Sequence, residues 1–130
     1  MDNKYLFIEY DERVSLLSAE WIPAVVGIED MKVEMMRMLD MIKEKHPKNI
    51  IVDSRHFRLR ASDDVQYWIN FKFMPLLMDE DIDKYAIVVN EQTYKELVAE
   101  EEEDVIDLSE FMTVKYFTEG KLAEAWIREK

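Results

Sequence analysis

The densest set of groups able to do chemistry is the segment Asp53-Ser54-Arg55-His56-Phe57-Arg58-Leu59-Arg60, which holds three of the chain's six arginines. In an extended backbone His56, Arg58 and Arg60 share one side, and Phe57 and Leu59 the other. Arg55, Arg58 and Arg60, with Asp53 beside them, therefore suit an anion site or a docking patch for an acidic partner. The same cations would equally neutralise Asp53, Asp63 and Asp64 on a solvated loop, where ion pairs are common and individually weak. Asp53 and Ser54 occupy a strand end, but no second carboxylate or histidine stands at ligand spacing around them. A turn aspartate bonding nearby amides is the reading for Asp53. His46 and His56 are the two histidines, set apart by a buried strand, so no metal site is expected. The chain has no cysteine, and its two glycines, Gly27 and Gly120, cannot build a phosphate-cradling loop. No serine has the strand-turn-helix context of a hydrolase nucleophile. These residues nominate no catalytic group and imply no cofactor.

A second group is apolar. Met31, Met35, Met36, Met38 and Met41 crowd one helical segment, and Phe71, Phe73, Met74 and Met78 thicken another. Most of these residues are the inward stripes that helices need over a sheet. Ile69, Phe71 and Phe73 exceed one stripe, because at about 3.6 residues per turn they cannot all face one sheet. Met31, Met35, Met38, Trp68, Phe71 and Met74 are thus the candidates for a dimer face or an apolar ligand pocket. Ser62 precedes an apolar helical pattern and is followed by Asp63 and Asp64, which reads as an N-cap with acidic residues in the first turn.

The elements that must position these residues follow from periodicity. Lys4–Tyr10 and Arg13–Ala19 alternate as two strands of a hairpin, and Trp21–Ile28, broken by Pro23 and Gly27, is a connection. Glu29–Lys45 is a helix with acidic residues in its first turn and basic ones in its last. Asn49–Asp53 and Tyr85–Val89 are short β-branched runs of the kind buried on both faces. A helix starting at Ser62 lies between them and bends or ends at Pro75. A third helix over Glu91–Asp104, a strand Phe111–Phe117 and a helix Gly120–Glu129 complete the order β-β-α-β-α-β-α-β-α. Glu100–Asp104, all acidic, is a solvated helix end that frays. The expectation is a single α/β domain over residues 1–130, with a mixed, mostly parallel five-stranded sheet and four helices.

Composition narrows the function classes. At 130 residues and 48% hydrophobic content the chain can bury an ordinary core. A formal net charge of −12 disfavours nucleic acid as a partner. No apolar run approaches the roughly 20 residues of a membrane span, and no secretory signal is expected at the N-terminus. With no cysteine, a cytoplasmic setting fits.

The element order, the strand Ile50-Ile51-Val52-Asp53, the helix start Ser62-Asp63-Asp64-Val65-Gln66-Tyr67-Trp68 and the closing Ala123-Glu124-Ala125-Trp126 resemble the STAS family, which includes the SpoIIAA-like anti-sigma factor antagonists. The resemblance spans nearly the whole chain and is nearer to bacterial STAS-like proteins of unassigned function. It implies a non-enzymatic regulatory or protein-interaction module, a homodimer, with Ser62 the match to the serine that a partner kinase phosphorylates in the antagonists. Here two aspartates follow Ser62 and no glycine does, so a phosphate would meet like charges. The alternative is a carrier holding an apolar or lipid-like small molecule between the methionine-rich helix and the sheet, as the related CRAL-TRIO proteins suggest.

Overall fold

A computed structural model describes residues 5–23, 25–56, 58–59, 68–95, 105–107 and 112–129. Strands β1 (Leu6–Asp11) and β2 (Leu16–Trp21) form the hairpin, in register from Leu6 opposite Trp21 to Asp11 opposite Leu16. β2 starts three residues later than its sequence pattern suggests. The Asp11 carboxylate accepts the Arg13 backbone N–H at 3.0 Å, and Ser15 is left-handed at φ 52°, so the turn extends through Ser15. Trp21 accordingly ends β2, buried opposite Leu6, instead of opening the connection.

Helix α1 (Ile28–Lys45) leads to β4 (Asn49–Asp53), and helix α2, described over 68–78, to β6 (Lys84–Val88). A short helix α3 over 91–95 follows, then β7 (Val105–Asp107), β8 (Thr113–Phe117) and helix α4 (Gly120–Arg128). The sheet order is β1-β2-β4-β6-β8-β7. The four central strands are parallel, while β1 and β7 pair antiparallel at the edges. The five expected strands are all present, and β7 adds a sixth of only three residues. Two further pieces, β3 (Val25–Val26) and β5 (Arg58–Leu59), pair in parallel outside this sheet. Two residues are too few for a periodicity to reveal either.

Each parallel step moves the same way across the sheet, so right-handed crossovers put α1 and α2 on one face. There Leu6, Leu17, Ile50 and Val52 meet Met31, Met38, Ile42 and Phe73 in one core. α4 follows the last strand and lies on the opposite face over β4, β6 and β8. A smaller core forms beneath it from Ile51, Ala86, Val88, Phe117, Ala123 and Ile127.

α2 departs from ordinary helical geometry. Within it, Ile69–Phe73 is a π-helix that continues as the α-helix Met74–Met78. The Met74 N–H donates to the Ile69 carbonyl five residues back. Pro75 has no N–H to give the Phe71 carbonyl, and the wider turn takes up that mismatch. The wider turn also brings residues five apart onto one side. Trp68 and Phe73 stack with centroids 5.7 Å apart. Of the apolar excess, Phe73 is buried, Ile69 packs against the core, and Phe71 is 64% exposed.

Candidate functional site

The parallel strands end at a cleft of about 400 Å³ between β1, β2 and β4 on one side and the start of α4 on the other. Ligands of open α/β sheets collect at this end. Asp53 and Arg55 form its centre. Arg55 Nη2 lies 2.7 Å from Asp53 Oδ2 and Nε donates to Oδ1 at 3.1 Å, while the Arg55 backbone N–H donates to Oδ1 at 3.1 Å. Asp53 is thus a turn aspartate and one arm of a two-point guanidinium–carboxylate pair. Burial pushes the Asp53 carboxyl up, but hydrogen bonds from the Arg55 side chain and backbone outweigh it and hold the carboxyl below its ordinary value. The Asp53 hydrogen bond raises the Arg55 pKa, with smaller help from the charges of Glu20 and Glu119.

Arg55 reaches the first residue of α4, its Nη2 about 4.0 Å from where a side chain on Gly120 would begin. A cation at a helix N-terminus is unfavourable by itself. Asp53, Glu20 and Glu119 supply the compensating negative charge. The Ser54 N–H donates to the Val88 carbonyl at 2.7 Å, and Val89 N–H to Phe117 at 2.8 Å, so the strand ends bearing the cleft are stitched together. Glu9 and Glu124 wall the cleft, with Phe7 at its mouth.

Of the anion patch expected from the sequence, Asp53 and Arg55 come together. Arg58 is placed by its backbone only, in β5, and Arg60 and Ser62 lie outside the described residues. Of the apolar candidates, Met31 and Met38 are buried in the core, and Met35, Trp68 and Met74 pack partly against it. Phe71 stands at the surface, and Lys32 Nζ lies 5.7 Å from the Trp68 ring centroid. No group of three or more histidines or carboxylates able to hold a metal occurs among the described residues.

One cluster that sequence reasoning missed is Glu34 with Arg37. Glu34 is buried at 4% exposure, yet it accepts the backbone N–H of Tyr5 at 2.6 Å and of Leu6 at 3.0 Å. Arg37 Nε donates to Glu34 Oε1 at 2.9 Å, and Arg37 Nη2 donates to the Leu6 carbonyl at 2.7 Å. The Tyr5 carbonyl bonds toward β2 through the Ile22 N–H, so in an antiparallel ladder the backbone groups of Leu6 point outward. Glu34 and Arg37 occupy them as a neighbouring strand would, protecting the sheet edge. The signal was Glu34 itself, a charge placed in the apolar stripe between Met31 and Met38.

The architecture can now be compared with solved ones. A crystal structure of an uncharacterized protein of the DUF3478 family from Shewanella loihica PV-4, described as having a SpoIIAA-like fold, matches with a TM-score of 0.52 and covers 98% of each chain. The fold is SpoIIAA-like. At 12% identity that likeness carries the SpoIIAA-like architecture alone. No family model matches the sequence, and no curated protein does. No helix among the described residues is long and apolar enough to cross a membrane.

Proposed function

We propose that this chain is a non-enzymatic, STAS-like interaction module that works as a homodimer and docks a protein partner through α2 and the Arg55 segment. The observation that supports it most is the Asp53–Arg55 pair. At the strand ends, where an α/β enzyme would present reactive groups, the two charged side chains are spent on each other at 2.7 Å. What this end of the molecule offers is a shaped, charged surface. Exposed Phe71 and Leu76 on α2 add apolar area of the kind that partner contacts use.

Pull-down from the native host with the wild type and with Phe71→Ala and Arg55→Glu variants tests the reading. A partner retained by the wild type and lost by both variants is expected. A small apolar molecule found by native mass spectrometry, with no protein retained, would overturn it in favour of a carrier. Light scattering tests the dimer, and a monomer at all concentrations would remove that part. Ser62→Asp should change partner retention where phosphorylation regulates the contact.

A further inference from the structure

The two faces of the sheet are covered unequally. Among the described residues α1 and α2 cover one face, while on the other α4 lies over β4, β6 and β8, and of β1 and β2 only Leu16 packs against the core beneath it. Two strands at about 4.8 Å spacing make a gap of roughly 10 Å, the diameter of one helix. Six residues at about 3.3 Å make it roughly 20 Å long, which matches about 13 helical residues. The gap is grooved. The 400 Å³ cleft at the strand ends is followed along α4 by another of about 370 Å³ beside Val14, Leu16 and Ile127, and Glu124 walls both.

Phe7, 49% exposed, and half-buried Leu16 are the apolar side chains of the floor, set among Glu9, Asp11, Ser18 and Glu20, and Val14, 48% exposed, stands in the hairpin turn beyond them. The walls are acidic. Asp11 and Asp53 are paired with Arg13 and Arg55, and Glu20 also offsets the charge of Arg55, while Glu9 and Glu124 form no ion pair among the described residues. Arg13 and Arg128 are the cations at the far end.

Resting on the interaction-module reading, we infer that the groove running from the Arg55 cleft along α4 over β1 and β2 is a docking surface whose occupant is a basic amphipathic helix of a partner protein. The apolar stripe of such a helix would cover Phe7 and Leu16, completing the missing layer, and lysines or arginines on its flanks would face Glu9, Glu20 and Glu124. A second copy of this chain fits this groove poorly, because a two-fold contact would set the same acidic walls against each other.

The probe is a 14-residue leucine–lysine amphipathic peptide, set against a scrambled isomer of equal charge and a leucine–glutamate counterpart. Amide shifts in the full chain should concentrate on β1, β2 and the Glu124 flank of α4, with the scrambled and acidic peptides at least tenfold weaker. Phe7→Ala, at a half-exposed position, should weaken binding about fivefold, and a Glu9→Gln, Glu20→Gln, Glu124→Gln triple variant at least tenfold, with a flatter salt dependence. Thermal unfolding of each variant confirms that it remains folded. Equal binding of the scrambled isomer, or no binding, overturns the groove assignment. So does binding that Phe71→Ala abolishes and Phe7→Ala leaves intact, though the interaction-module reading survives that result. A wild-type dimer that Phe7→Lys converts to monomer overturns the assigned occupant, since the groove would then be a self-interface.

Discussion

Glu34→Ala should be among the most destabilising single changes at a charged position of this protein. It removes the acceptor of the Tyr5 and Leu6 N–H groups and the partner of Arg37. Leu6 is 1% exposed, so its orphaned N–H costs about 1–3 kcal/mol. Tyr5 is only partly buried and regains water at less cost. Arg37 is 28% exposed and keeps the Leu6 carbonyl at 2.7 Å, so its loss is nearer that of a surface pair, at about 0–1 kcal/mol. Alanine returns a few tenths of a kcal/mol in helix propensity, roughly. The sum, about 1–4 kcal/mol, reaches the roughly 3–5 kcal/mol of breaking a fully buried pair only at its upper end. With a urea slope of about 1–3 kcal/mol/M, the midpoint should fall by about 1–2 M. Glu34→Gln keeps an acceptor but loses the charge assistance, so about 1–2 kcal/mol is expected. The pH dependence separates the charge from the packing. Burial alone would raise the Glu34 pKa, but the two backbone N–H groups and Arg37 lower it below the ordinary glutamate value. The contribution is therefore complete above the unfolded value and is lost as pH falls through the lower folded one. The gap between wild type and Glu34→Gln should narrow between about pH 5 and pH 3. A midpoint for Glu34→Ala close to wild type, or a gap that is constant with pH, would refute the reasoning.

Asp53→Asn should destabilise by about 1–2 kcal/mol, because one neutral oxygen replaces two charge-assisted contacts at a side chain 17% exposed. Its effect, read by urea denaturation at neutral pH, should shrink in acid, since Asp53 also titrates below its ordinary value. His46 closes α1 in the left-handed region at φ 54°, with its N–H on the Ile42 carbonyl, a place where glycine is unstrained. His46→Gly should raise the thermal midpoint, by about 0.5–1 kcal/mol in stability. Lys84 Nζ donates to the Trp126 and Glu129 carbonyls, both at 2.7 Å, and lies 5.2 Å from the Trp126 ring centroid. Lys84→Met should therefore cost about 1–2 kcal/mol and show as faster hydrogen exchange at the end of α4.

The interior strands were legible because burial on both faces leaves a run that needs no partner to interpret. Ile50-Ile51-Val52 and Tyr85-Ala86-Ile87 pair side by side in the sheet, as their β-branched and apolar character suggested. The limits appear where a tertiary contact overrides the local pattern. Arg13 to Ser15 look strand-like, but the Asp11 carboxylate bonds the Arg13 N–H and keeps that stretch in the turn. Pro75 was expected to end or bend its helix; the helix runs on to Met78, the turn before Pro75 widens, and the Trp68–Phe73 stack spans the wider turn. In the cleft, Asp53 and Arg55 stand two residues apart, so their meeting was readable. Glu20 and Glu124 join them only through sheet order and the return of α4, which a sequence pattern does not carry.

Three of the six arginines serve local structure. Arg13, Arg37 and Arg55 each take a carboxylate two or three residues back, Asp11, Glu34 and Asp53. Such short-range pairs form wherever the backbone turns, and each fixes a structural point: a hairpin turn, a sheet edge and a strand end. Each pair uses one cation and one carboxylate, so the net charge of −12 is carried by the remaining side chains. A field of one sign accelerates encounter with basic partners and slows encounter with acidic ones, within a Debye length of about 8–10 Å at physiological salt. Association with any basic partner should therefore slow as salt rises, while dissociation, set by the apolar contacts, should change little. Stopped-flow association measured from 25 to about 300 mM salt separates the two, since a dissociation rate rising as steeply as the association rate falls would place the charges inside the contact instead of at its rim.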